Sequence, residues 1–390
     1  MRLKNAILNL AEGGTLLRDA AATRNMKVLA SMLGPAFRGL VIQHPRAHAS
    51  TPVATGYDAV FDWTYGRTKP ALAKLYEAAK SGQWNGSDAV DWSIEVDPFR
   101  DDRVLLPDDF LPVNEIRAFR TMPRREKQQH RHAILSWILS QFLHGEQGAL
   151  YAAAQVTEAV PWLDAKLYGS TQVVDEGRHV EVFHRYLDHK LEKRYSIDVN
   201  LHTIIDILMR DSRWDMKFLC MQIMIEGLAL GAFATLRQAV EEPLLKDLLK
   251  NVIGDEARHV QFGVVALREV YRGKDRLSES ERREREDWAF ELSLLMRNRF
   301  LAHEYYDEFW SHKMSRRQWN RIVADSGLMR MFRRTMFKGI VPNLKKIGLI
   351  TDRIRPHYEA QGLLGYEHGK SAPEMNLADF LRGETLGSPA

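Results

Sequence analysis

The sequence predicts an all-α protein, a helical bundle with additional N- and C-terminal helices, and three observations predict it. Apolar residues recur at three- and four-residue spacing through five long segments, at 117–158, 161–193, 213–241, 243–272 and 277–312. Period-two alternation is weak everywhere, so strands are not expected. Helices of roughly 30 residues would be about 45 Å long, the scale of a large bundle.

In chain order, residues 1–60 alternate short helical patterns with breakers, Gly13-Gly14, Gly34-Pro35, Pro45 and Pro52, and read as an extension wrapping a core. A helix is expected from Lys69 to Ser81, then an irregular stretch, Gln83 to Asn114, rich in Asp, Pro and Trp. Pro161 and Pro243 stand where a first helical turn tolerates proline, and they punctuate two joints between long helices. Residues 313–390 read as shorter helices, with a segment marked by Val341-Pro342 and Arg355-Pro356 and a polar, mobile tail from Ser371. The expected organisation is an N-terminal extension over 1–116, the bundle over 117–312 and a C-terminal helical extension over 313–390.

Hydrophobic residues make up 45% of the 390, enough for a packed core and too many for disorder. The 55 basic and 51 acidic residues nearly cancel, which is the balance of an ordinary surface, so no nucleic-acid partner is expected. The segment Met1 to Arg46 departs from that balance, with seven Lys/Arg against Glu12 and Asp19. It suits an anionic partner or membrane surface, or a plain solvated helix. A single cysteine, Cys220, excludes an internal disulfide and any Cys-ligated iron–sulfur or zinc centre within the chain, and fits a reducing cytoplasm. The N-terminus has no continuous apolar run of a secretory signal. The most membrane-like stretch, Phe218 to Leu236, carries Gln222 and Glu226, and an unpaired carboxylate there would cost roughly 3 kcal/mol or more in a bilayer. It reads as a buried central helix.

Two pentapeptides match each other, Asp175-Glu176-Gly177-Arg178-His179 and Asp255-Glu256-Ala257-Arg258-His259, both of the form D-E-x-R-H. On a helix, Glu and His three apart share a face and can reach one ion, and the Asp four before the His can accept its other ring N–H. Asp175 and Asp255 are therefore expected behind the ligands, with Arg178 and Arg258 neutralising and orienting them. Bundle metal sites need one further Glu from each of two other helices. Glu146 precedes Glu176 by 30 residues and Glu226 precedes Glu256 by 30, each in apolar, small-residue surroundings. An ionised carboxylate there requires a partner, and two ferrous ions would balance four glutamates in charge. A salt bridge is the plainer reading of any one such Glu, and a solvated turn of any one D-E-x-R-H. Four such elements in order at matched spacing favour two metals. Glu181-Val-Phe-His184 repeats the Glu-x-x-His spacing without the flanking Asp and Arg. Glu181, five residues past Glu176, points about 140° away on the helix, so this pair is expected off the metals. His130, His132, His144 and His189 are expected in packing or surface positions.

The arrangement E … D-E-x-R-H … E … D-E-x-R-H resembles the ferritin-like di-iron carboxylate superfamily, especially its ribonucleotide-reductase-like branch of oxidases and oxygenases, over residues 117–312. The resemblance implies a ferritin-like four-helix bundle holding two iron ions, with Fe/Fe or Mn/Fe occupancy open to the same ligands. It implies Glu146 and His179 as terminal ligands of one metal, Glu226 and His259 of the other, and Glu176 and Glu256 as bridges. Members use dioxygen to hydroxylate, desaturate, N-oxygenate or form a radical. The tyrosine that radical-forming members carry four residues after the first metal His is Phe183 here, which argues against a stable tyrosyl radical. The third histidine of aminoarene N-oxygenases is Val252, and the threonine of multicomponent hydrocarbon monooxygenases is Leu230, so the subtype stays open. Gln83-Trp84 … Asp91-Trp92 also resembles a stretch upstream of the bundle in oxygenases of this branch.

The function expected is a non-heme di-iron oxygenase or oxidase, monooxygenase-like, acting with dioxygen on a small or medium organic substrate. Electrons would come from a separate ferredoxin or flavin reductase, since the chain has one cysteine and no flavin fingerprint. A homodimer is implied by the resemblance alone. The alternatives are a non-catalytic iron protein for storage or sensing, and a purely structural cluster. The small residues beside the lone glutamates (Gly145, Gly148, Ala149, Ala152; Gly227, Ala229, Gly231) serve equally to leave room for an apolar substrate or to let helices pack closely.

Overall fold

A computed structural model describes residues 22–42, 59–100, 102–273, 277–297 and 300–382. Most of the basic N-terminal segment, and with it the reading of an anionic partner, lies outside the described residues. No strand occurs among those described.

The principal helices are α1 (Met26–Ala36), α2 (Pro70–Ser81), α3 (Arg124–Ala159), α4 (Leu163–Tyr186), α5 (Val199–Arg210), α6 (Trp214–Ala239), α7 (Pro243–Arg272), α8 (Glu279–Arg297), α9 (His303–Phe309), α10 (Arg316–Asp325) and α11 (Gly327–Ile347). Helix α3 packs along α4, α6 along α7, and α4 meets α7, so the two motif helices lie side by side. Helix α2 lies over both of them, and α11 covers the outer face of α6. By length and apolar composition α6 could cross a membrane, but it is mostly buried and is the core helix of this bundle.

Local chemistry sets the boundaries. Val160 takes extended backbone before Pro161, which ends α3, and Pro161 itself stands outside α4, which starts two residues later. Pro243 does sit at the first position of α7. Its cap, Glu242, accepts from the backbone N–H of Leu244 and Leu245, both at 2.7 Å, and from the Tyr186 hydroxyl at 2.9 Å. One side chain thereby fastens the end of α4 to the start of α7.

Four expectations are corrected. The segment 277–312 is not one helix: α8 ends at Arg297 and α9 begins after Ala302, whose φ of 47° no α-helix accommodates. Helix α5 lies where no helix was expected, started by Asp198 accepting from the backbone N–H of Asn200 and Leu201. Pro342 lies inside α11, which continues to Ile347 and ends at Gly348 in the left-handed region. The tail from Ser371 is anchored as far as Arg382: Ser371 and Glu374 form a capping box, the Ala372 N–H donates to Asn343 Oδ1 at 2.8 Å, and Phe380 is buried.

Candidate metal centre

Helices α3, α4, α6 and α7 bring Glu146, Glu176, His179, Glu226, Glu256 and His259 into one buried cluster. Two overlapping groups can each hold a cation: Glu146, Glu176, His179 and Glu256 in one, and Glu176, Glu226 and His259 in the other. Glu176 belongs to both. His179 Nδ1 stands 3.2 Å from Glu146 Oε2 and 3.1 Å from Glu256 Oε1. His259 Nδ1 stands 3.2 Å from Glu176 Oε1 and 3.7 Å from Glu256 Oε1. Each imidazole thus turns the same ring nitrogen to the carboxylates.

The cluster fits divalent metal on its own chemistry. Apart from the close approaches of the ligand groups to one another, Glu176 Oε2, Glu226 Oε2, both oxygens of Glu256 and His259 Nδ1 are buried without a hydrogen-bond partner. Buried polar atoms are nearly always paired, and several kcal/mol per ion are lost when buried charges go uncompensated. Burial, with the neighbouring Glu256 carboxylate, pushes Glu146 and Glu226 well above the usual carboxylate range. Burial opposes protonation of His179 and His259, yet the acidic groups around them hold both well above the ordinary histidine value. Without cations the cluster therefore gathers protons, and positive charge is what it lacks.

Behind the histidines, the aspartates pair across the helix interface. His179 Nε2 lies 3.1 Å from Asp255 Oδ2, and His259 Nε2 lies 3.2 Å from Asp175 Oδ2. This corrects the expectation that each Asp serves the His four residues on. An imidazole that aims Nδ1 into the cluster aims Nε2 at the neighbouring helix, where the other motif's Asp stands. Arg178 donates to Asp175, to Asp255 Oδ2 at 2.9 Å and to Gln83 Oε1 at 2.8 Å, while Arg258 donates to Asp255. Although burial raises the Asp255 carboxyl, the His179 bond and the Arg258 and Arg178 charges hold it below its ordinary value. An ionised Asp that accepts from Nε2 leaves the Nδ1 lone pair of the histidine for a metal.

Gln83 and Trp84 belong to this brace. Gln83 donates to Asp175 Oδ1 at 2.8 Å, the Trp84 indole donates to Asp255 Oδ2 at 2.7 Å, and Arg178 lies over the Trp84 ring at 4.6 Å. Glu181 and His184 are exposed, His184 pairing with Asp188 at 3.0 Å. His130 is buried against Tyr305, His132 and His144 bond backbone carbonyls, and His189 is exposed. Sequence reasoning missed Gln172, whose amide reaches the carboxylates of Glu176 and Glu226, and Gln222, whose amide holds Gln172. Their signal was position, each one turn before a ligand glutamate.

An apolar cavity of about 170 Å³ opens on the cluster at Glu146, Glu226 and Glu256. Phe142, Phe233, Met221 and Phe332 are among its walls, and among the described residues no Lys, Arg or His lines it. The small residues divide between the two expected roles. Gly145, Ala149 and Ala229 line the cavity, and a Cβ on Gly145 would meet nothing within 4 Å. Gly148 is pressed by Ile205 and Gly231 by Thr335, where an added Cβ would come within 2.9 and 2.4 Å, so these two serve close packing.

A Glu from each of two helices and a Glu-x-x-His from each of two others, all projecting inward, define one architecture. This is the ferritin-like bundle. No family model matches the chain, and no curated protein does. Among solved structures, the chain is similar to a variant of an R2-like ligand-binding oxidase with anaerobically reconstituted Mn/Fe cofactor. The identity is 20% and the TM-score 0.42, over 71% of this chain and 93% of that one. The ferritin-like assignment stands on the helices and cluster of the chain itself.

Proposed function

We propose that the protein is a dimetal oxidoreductase, Fe/Fe or Mn/Fe, that uses dioxygen to oxidise a small or medium, uncharged, apolar organic substrate. One observation carries this reading: a buried carboxylate–imidazole cluster with unpartnered atoms opens, through Glu146, Glu226 and Glu256, directly onto an apolar cavity. Glu146, Glu176, His179, Glu226, Glu256 and His259 would hold the ions, which supply the electrons and Lewis acidity that dioxygen reduction requires.

The chain supplies position and exclusion. Asp255 and Asp175 fix the tautomers of His179 and His259, and Arg178 ties both aspartates together. The cavity walls keep bulk water from the carboxylates and favour molecules without charge, because a charged group would lose hydration there while the lining glutamates are committed to the ions. Hydroxylation, N-oxygenation and desaturation all suit such a site. Electrons come, in this reading, from a separate ferredoxin or flavin reductase, since the one cysteine is buried and unsuited to a cluster. A reducing cytoplasm is the matching compartment.

The test is metal content and the near-ultraviolet spectrum of purified protein, beside a Glu226→Ala, His259→Ala double variant. About two metals per chain, with absorption lost in the variant, is the expected result. Metal-free protein after growth in iron-replete medium would remove the proposal. Substrate-dependent dioxygen consumption then separates an oxidase from a storage protein.

A further inference from the structure

The hydrogen-bond donors around the cluster are divided unequally between its halves. Gln172, fully buried one turn before Glu176, donates through Nε2 to Glu226 Oε1 at 2.7 Å and to Glu176 Oε1 at 3.1 Å. Ionised carboxylates only accept, so chemistry sets which way this amide faces. Its own Oε1 accepts from Gln222 Nε2 at 3.2 Å. Gln222 is fully buried in the π turn Leu219–Ile225 of α6, four residues before Glu226. Room for it comes from Gly263 on α7, where a Cβ would stand 2.3 Å from the Gln222 Cβ. The two motifs are 80 residues apart, so the counterpart of Gln172 is Val252, which has no donor to offer.

We infer that Gln172, oriented by Gln222, is a positioning residue that makes the two metal positions unequal. It commits Glu226 Oε1 to the protein and leaves Oε2, buried without a partner, as the oxygen presented to a cation. The Glu226–His259 position therefore offers a carboxylate already held in one orientation. At the Glu146–His179 position the lone carboxylate contacts the ligand His179 itself, 3.2 Å from Glu146 Oε2, so the cation must do more of the orienting. A ligand held in place beforehand loses less freedom on binding, and the Glu226–His259 position fills first. The inference rests on the dimetal reading above.

The experiment is anaerobic calorimetric titration of manganese(II) into the full-length apo protein and its Gln172→Met and Gln222→Met variants, with the apo unfolding midpoint as the check on folding. Wild type should bind two ions in two separated steps. Gln172→Met should weaken the tighter step by about 10–100-fold and leave the looser one in place, the scale seen when support behind a metal ligand is removed. Gln222→Met, which touches neither glutamate, should shift the same step in the same direction by less, and decides the matter if Gln172→Met does not fold. Two ions in wild type with both steps weakened alike, or neither, would overturn the role of Gln172 and leave the dimetal reading standing. A wild type that binds no more than one ion would overturn both.

Discussion

In the first half of the centre Glu146 sits in regular α-helix beside Gly145, which faces open cavity. In the second, Glu226 follows a π turn and is flanked by Gly227 and Gly231, on which α11 packs. The motif helices repeat the contrast, with Gln172 before Glu176 and Val252 before Glu256. Pentapeptides that differ only at Gly177 and Ala257 therefore deliver matching ligands into unlike surroundings. Duplicated ligands specify how many charges are held, and the unduplicated neighbours specify which side is rigid and which side meets a substrate.

The sharpest way to break the comparison is at the aspartates, which look equivalent in sequence. Asp255 accepts from His179, Trp84, Arg178 and Arg258. Asp255→Ala would leave two guanidinium groups short of a buried acceptor, and a loss of about 3–5 kcal/mol is expected, the usual result of breaking a buried ion pair from one side. Asp175 bonds Gln83, Arg178 and His259, while Arg258 lies 3.9 Å away. Asp175→Ala should therefore cost less. Calorimetric unfolding of the two variants checks the order, and equal losses would mean that the Trp84 and Arg258 bonds to Asp255 contribute nothing to the difference.

Residues within one helix were legible in the sequence, and relations between helices were not. The spacing of Glu176 with His179 and of Glu256 with His259 is a property of one helix face, and so was visible. The exchange of aspartates between motifs was not, because it depends on α4 and α7 lying side by side and on which ring nitrogen faces inward. Gln172 and Gln222 carry no spacing signal apart from the ligands they serve. Helix α5 was overlooked because its Asp198 start signal lies in the short gap between two longer periodic segments, and the break at Ala302 because apolar periodicity continues across it. The glycines were the hardest: composition offered two roles, and only the neighbours, Thr335 for Gly231 and open space for Gly145, assign them.

Those glycines give the next test of the two halves. At Gly231 an added methyl would come within 2.4 Å of Thr335 Cγ2 and 3.3 Å of the Thr335 carbonyl oxygen, and α11 cannot withdraw without opening its contact along α6. Gly231→Ala is expected to lose about 1–3 kcal/mol through overpacking, despite the better helix propensity of alanine. Denaturant titration reads this as a lower midpoint at unchanged slope. A midpoint at or above wild type would show that the α6–α11 crossing yields easily, and the second half would no longer be the rigid one.

The smallest effect should appear at Gly145, with the opposite sign. Its helix is regular, its φ is negative, and no atom stands within 4 Å of a new Cβ. Gly145→Ala then gains helix propensity alone, about 0.5–1 kcal/mol, which corresponds to an unfolding midpoint raised by a few degrees at most. The methyl would project from the wall of the cavity beside Glu146, so the same change should reduce binding of the bulkiest ligand that wild type accepts while sparing smaller ones. The two readouts are independent. Higher stability with an altered size limit would establish that the first half of the centre is where the protein meets its substrate. Higher stability with an unchanged limit would move the substrate to the α6 wall, at Ala229 and Phe233, and lower stability would mean that the space beside Gly145 is not open.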